Sequence, residues 1–233
     1  MFVNSISEQF YNFQIFLKEN PIITFSPHES NKVNHASVLL LFNSKPVSRT
    51  KKFVELGCGS GFCCFGLARE YSIAGIGLDI QADLQEPFIK GAKANGLEEL
   101  LAFKRIDIAN IREFMEPEQI DMCIFNPPHY IHGKGESVKD PVRGISRTAD
   151  ESVYKSFCAC VSYLLKTKGV FSCVISPNNL EEWMQAFAEK KLSVKSIVPV
   201  YGNRENDAQL MLIRGIKNSK SGFVKLRPAV FLK

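Results

Sequence analysis

The sequence predicts an α/β fold, a doubly wound and mostly parallel sheet with an antiparallel hairpin at one edge. Three observations carry this. From Lys51 onward, strand-length apolar runs alternate with helix-length amphipathic ones, as in successive βαβ units. The first run, Val54-Glu55-Leu56, enters a glycine-spaced turn, Gly57-Cys58-Gly59-Ser60-Gly61, where a helix is to begin. The last two runs, 194–201 and 208–214, have only a short polar connection between them, so they should pair as a hairpin.

Before the alternation starts, Phe10, Tyr11, Phe13, Phe16 and Leu17 recur near the helical period, predicting an N-terminal helix that Pro21 ends. A polar loop runs from Phe25 to Asn34, followed by an apolar helix over 36–42 and a linker over 46–50. Residues 1–50 thus read as a helical extension packed on a core unit of 51–233. In that unit strands are expected at 52–56, 73–78, 101–106, 120–125 and 170–175. Helices are expected at 62–71, 83–95, 153–165 and 179–191. Gly96 supplies a helix stop, and residues 131–150 read as a long polar loop.

Composition excludes several classes. The 233 residues are 45% hydrophobic and 23% charged, ordinary for a globular protein. No apolar run reaches the ~20 residues of a membrane span, and the start of the chain lacks the features of a secretory signal. A cytoplasmic protein without a membrane partner is expected. Seven cysteines, an odd number with no Cys-x-x-Cys pair, read as small buried hydrophobes rather than a disulfide framework or a zinc site. Net charge is +5 but uneven: from Lys190 on there are ten Lys or Arg against Glu205 and Asp207, so this stretch carries +8 and the first 189 residues −3. Such asymmetry fits a polyanion partner and fits a solvated surface equally well.

The candidate chemistry falls at the carboxyl ends of consecutive strands, where doubly wound sheets bind ligands. Gly57 and Gly59 remove side chains where backbone must turn and approach a ligand, and Gly61 lets the next helix pack close. The spacing is Gly-x-Gly-x-Gly, not the Gly-x-Gly-x-x-Gly of dinucleotide binders, which points to a cofactor without a pyrophosphate. Asp79, 18 residues past Gly61, suits a ribose diol. Asp107 ends the third strand and reads equally well as a loop cap.

Asn126-Pro127-Pro128 ends the fourth strand. The Asn126 side-chain oxygen and the Pro127 carbonyl can accept both hydrogens of an exocyclic amine, leaving its lone pair aimed at an electrophile. His129 or Tyr130 can stack on the held group.

On these residues the chain resembles the class I S-adenosylmethionine-dependent methyltransferases, which have a Rossmann-like fold, and within them the amino-methyltransferases marked by Asn-Pro-Pro-aromatic. The segment 55–61 resembles their cofactor loop and Leu78-Asp79-Ile80-Gln81 their ribose-binding acid. The stretch from Phe25 to Phe42, the loop after Asn126 and Ser176-Pro177 resemble bacterial tRNA adenine-N6 methyltransferases that modify the anticodon loop of a valine tRNA. The resemblance implies S-adenosylmethionine as cofactor, held by Glu55, Gly57, Gly59, Gly61, Asp79 and Asp107. It implies Asn126, Pro127, His129 and Tyr130 as catalytic residues, 51–233 as the methyltransferase domain, RNA (a tRNA) as partner, and no metal. The chain departs from the pattern in carrying His129 where the family has Tyr, Phe or Trp. Two other functions stay open: a protein glutamine N5-methyltransferase of the release-factor type, and a lapsed paralogue that only binds.

Overall fold

The computed structural model describes residues 5–28, 32–128, 130–131, 148–149, 151–220 and 222–232. Helix α1 (Ile6–Glu19) starts at an N-cap, Ser5, whose hydroxyl accepts from the Glu8 amide. Helix α2 (His35–Asn43) starts likewise at Asn34, which accepts from Ser37 N. Then follow β1 (Lys52–Leu56), α3 (Phe62–Tyr71), β2 (Ala74–Asp79), α4 (Gln85–Ala94), β3 (Leu101–Arg105) and β4 (Ile120–Phe125). Two-residue strands β5 (Tyr130–Ile131) and β6 (Thr148–Ala149) pair with each other in parallel. The chain continues through α5 (Glu151–Leu164), β7 (Leu165–Ile175), α6 (Leu180–Glu189), β8 (Leu192–Tyr201) and β9 (Leu210–Lys217), and ends in β10 (Lys225–Leu226) and β11 (Val230–Phe231).

The main sheet runs β10-β8-β9-β7-β4-β1-β2-β3, with β11 also paired to β8. Pairings among β7, β4, β1, β2 and β3 are parallel. Strand β9 is antiparallel to both β7 and β8, giving the expected hairpin. Beyond it, β10 and β11 add to β8 in parallel, so the chain's last residues cover the hairpin's outer edge. These two short strands carried no periodic signal of their own.

Strand alternation divides the core in two. Phe53 faces α1–α4, with Leu39, Leu40, Phe65 and Phe88. Val54 and Leu56 face α5 and α6, with Phe125, Phe157, Trp183 and Phe187. Burial on both faces is what a parallel sheet with covering helices requires. All seven cysteines are free and buried. Among the described residues no helix is long and apolar enough to cross a membrane.

Several elements differ from expectation: β7 begins at Leu165 rather than 170, β9 runs to Lys217 rather than 214, and β5 and β6 fall at the two ends of the stretch read as a loop. The helix expected at 83–95 begins as a 3-10 turn at Ala82–Leu84. The stretch after Asp107, without a clear period, forms a 3-10 helix over Ile108–Glu113.

Candidate active site

Register brings the candidate residues to one edge. Leu56 pairs with Leu78 on one side and Phe125 on the other, so Gly57, Asp79 and Asn126 each stand one residue past that row. Asp79 pairs with Arg105, two residues before Asp107. The strand order turns back between β1 and β4, and the glycine turn and Asn126 flank that crevice.

The turn after β1 is left-handed at Gly57 (φ 68°), Gly59 (φ 51°) and Gly61 (φ 80°), a region that L side chains avoid. The three glycines differ in what surrounds them. A Cβ at Gly57 or Gly59 would meet nothing within 4 Å, so the loop presents bare backbone to open space. A Cβ at Gly61 would stand 2.6 Å from Phe65 Cζ and 2.8 Å from Phe88 Cδ2, so this glycine serves helix packing.

Asp79 is 6% exposed. Its Oδ2 accepts from Gly59 N and its Oδ1 from Gln81 N, both at 3.0 Å. The carboxylate thus ties the glycine turn to the end of β2, and burial pushes its pKa up. A carboxylate has about four acceptor positions, so acceptor capacity remains. Asp107 is exposed and accepts from Ala109 N at 2.9 Å as the cap of the 3-10 helix.

Glu55 shares Phe53's strand face and lies under α3. Its Oε2 accepts from Cys64 N and from Cys64 Sγ, each at 3.0 Å. Desolvation raises its pKa from 4.5 to about 7, against the lowering effect of these hydrogen bonds. The thiols of Cys58, Cys63 and Cys64 beside it are pushed up by burial as well.

Asn126 has its side-chain oxygen buried with no hydrogen-bond partner among the described residues. Burying such an acceptor unpaired costs roughly 1–3 kcal/mol. Pro127 is buried and Pro128 half-buried. Beneath them Phe125 packs on Trp183 (centroids 5.9 Å) and Phe157 (5.5 Å), and Tyr154 stands edge-on to Trp183 at 4.9 Å. The aromatic floor fixes the strand end that carries the Asn. His129 lies outside the described residues; Tyr130 enters β5.

Sequence reasoning did not mark the strap of residues 20–28, which runs from the far ends of α3 and α4 to this edge. Asn95 Nδ2 donates to Ile23 O while its Oδ1 accepts from Ile23 N. Arg69 donates to the carbonyls of Asn20 and Pro21. At the strap's end His28 Nε2 is 2.5 Å from Asp83 Oδ2, four residues past Asp79. Only the likeness over Phe25 to Phe42 hinted that this segment belongs near the site. Asn179 is buried just past the carboxyl end of β7.

A family described as methyltransferase domain matches residues 48–213. The chain belongs to this family. S-adenosylmethionine is the methyl donor, and the site suits it: two open-faced glycines and a buried carboxylate at one edge of the sheet, with no pyrophosphate-type loop.

Among curated relatives of this methyltransferase is the tRNA1(Val) (adenine(37)-N6)-methyltransferase of Aeromonas salmonicida, 24% identical over 82% of this chain and 80% of the relative. The protein of the same name from Yersinia enterocolitica is 25% identical over 61% of this chain, and that match spans about half of the relative (56%). Similar solved structures include a predicted O-methyltransferase from Agrobacterium tumefaciens (TM-score 0.67, 15% identity, 84% and 87% of the two chains). TrmN from Thermus thermophilus is similar too (TM-score 0.58, 16% identity, 81% and 51%). At such identities the structures speak for the fold alone, which is the class I methyltransferase fold.

Proposed function

We propose that this methyltransferase transfers its methyl group to the exocyclic N6 of an adenine in RNA, and that the RNA is a tRNA. The observation that carries the proposal is the buried side-chain oxygen of Asn126 at the switch point, without a partner among the described residues. A buried acceptor without a donor asks for one from a ligand, and an aromatic amine has two. Relatives named for adenine N6 in a valine tRNA support the same substrate.

In this reading Gly57 and Gly59 let the donor lie against backbone, and Gly61 sets α3 close behind them. Glu55 acts by holding the start of α3, and Asp79 accepts from the ribose hydroxyls. Asp107 borders the donor's base. The bound donor supplies a methyl already activated on a sulfonium, so catalysis here is chiefly positioning. Asn126 Oδ1 and the Pro127 carbonyl accept the two N–H groups of the amine and turn its lone pair toward the methyl. His129 or Tyr130 stacks on the base. Residues 1–50 act as a helical extension of the 51–233 catalytic unit.

The test is Asn126→Ala. It should retain affinity for S-adenosylhomocysteine yet lose at least ~100-fold in kcat on total tRNA, as when one oriented transition-state hydrogen bond is removed. Parental turnover by this variant would end the amino-methyltransferase reading. Methylation of a release factor but of no RNA would transfer the clamp to a glutamine amide.

A further inference from the structure

The basic end of the chain does not behave as one patch. Lys217 is buried, its Nζ donating to Glu118 Oε1 at 2.8 Å and Leu165 O at 2.7 Å. Arg214 donates to the carbonyls of Asn43 and Lys45. Lys195 donates to Lys220 O. These three cations hold the hairpin and the strap after it, and of them Lys217 is buried and paired with a carboxylate, which removes it from the charge available to a partner.

Three exposed cations lie in that strap of 218–228, while Lys191 and Arg204 are exposed outside it. Phe223 is 98% exposed and Leu226 74%, and Lys220, Lys225 and Arg227 are exposed around them. No Asp or Glu occurs from residue 208 to 233. The strap walls a cavity of ≈ 570 Å³ against α6 and the start of β8, lined by Phe187, Lys191, Ser193, Lys220 and Val224 among others. We infer that this strap is a second RNA-contacting surface, with Phe223 stacking on a base while Lys220, Lys225 and Arg227 meet phosphates.

Charge and pattern select the partner. Around β10 the apolar and cationic residues interleave, Phe223, Lys225, Leu226, Arg227, rather than forming a continuous apolar face. An exposed ring among cations, with no acid nearby in the strap, is the chemistry of a nucleic-acid platform.

Position adds a statement about substrate size. Strand β8 is parallel to β7 and β4, and the cavity lies by Leu192–Val194 at its amino end, whereas Asn126 follows the carboxyl end of β4. Ten strand residues and three strand spacings put the two places on the order of 30 Å apart. A single RNA that touches both must reach over about 30 Å, roughly ten base pairs where it is a duplex. This deepens the proposed RNA substrate and rests on that reading.

Binding and turnover are to be measured separately, with a labelled valine tRNA and a stem-loop cut from it. The protein should bind the tRNA at least tenfold tighter than the stem-loop. Phe223→Ala should weaken tRNA binding at least fivefold without altering the stem-loop or kcat. Lys220→Gln, Lys225→Gln and Arg227→Gln together should reduce the slope of log affinity against log salt by about two. Unchanged tRNA binding in both variants, with tRNA still methylated, overturns the surface and leaves the substrate reading intact. Strap-dependent tRNA binding with no RNA methylated does the reverse. Loss of binding to phosphatidylserine vesicles in Phe223→Ala, with tRNA binding unmoved, would overturn it in favour of a lipid surface.

Discussion

Glu55 illustrates how a single buried carboxylate sets the chemistry around it. It is 5% exposed and titrates near 7 because burial disfavours its charge more than the Cys64 contacts favour it. The folded state therefore binds its proton more tightly than the unfolded chain does. Stability from this group is full below about pH 4.5 and is lost as pH rises through about 7. The shift corresponds to a loss on the order of 3 kcal/mol. Glu55→Gln should unfold with a flatter pH profile and a higher Tm than the parent at pH 8, checked by thermal melts between pH 5 and 8. The opposite ordering at pH 8 would mean that the charged form is the one the fold prefers. This role was hidden in the sequence, where Glu55 reads only as part of a cofactor loop; its partner Cys64 depends on how α3 docks. The place of Asn126 at the end of β4 was legible because proline and strand end act locally. The burial of Lys217 was not, since it depends on the Leu165 carbonyl 52 residues away.

Among elements, the strand–turn–helix of 52–71 shows which parts of a fold a sequence announces. Strands 52–56 and 120–125 and helix 62–71 stand where periodicity and glycine put them. The 3-10 helix at Ile108–Glu113 and strands β10 and β11 escaped, because short elements carry too few residues to display a period and are set by their neighbours. The turn's glycines then divide by function, which substitution can separate. Gly61→Ala forces a Cβ into Phe65 and Phe88 at a left-handed φ. Steric overpacking and backbone strain together should cost roughly 2–4 kcal/mol of stability. Gly57→Ala bears only the backbone strain, about 1–2 kcal/mol, yet places a methyl in the space assigned to the donor. Urea unfolding and titration with S-adenosylhomocysteine should show Gly61→Ala as the stability variant and Gly57→Ala as the binding variant. Equal losses of stability would mean that open space beside Gly57 is not what distinguishes it.

For the whole molecule, the cofactor edge joins both halves of the core. The glycine turn belongs to the face covered by α1–α4, while Asn126 sits on the aromatic floor of the face covered by α5 and α6. The ends of the chain are tied together as well: Ser7 Oγ donates to Ala229 O at 2.8 Å and accepts from Phe231 N at 3.3 Å, so α1 pins the last strand. A ligand that binds the folded protein alone should thus raise the stability of the entire unit. At a hundred times its Kd, S-adenosylhomocysteine adds about 2.7 kcal/mol by mass action. In a chain of this length that raises Tm by about 5–10 °C. Asp79→Ala removes the tie between Gly59 and β2 and, in the proposed function, an acceptor from the ligand, and a lost contact of this kind weakens binding by roughly 1–3 kcal/mol. At the same ligand concentration about a third to nine-tenths of the Tm rise should vanish. Asn126→Ala should keep the rise in full, because in the proposed function its oxygen is reserved for the amine that is methylated. Scanning calorimetry on the three proteins, with and without ligand, reads both effects. An undiminished rise in Asp79→Ala would make Asp79 a structural tie between β1 and β2. A rise lost in Asn126→Ala would place Asn126 on the donor side of the crevice.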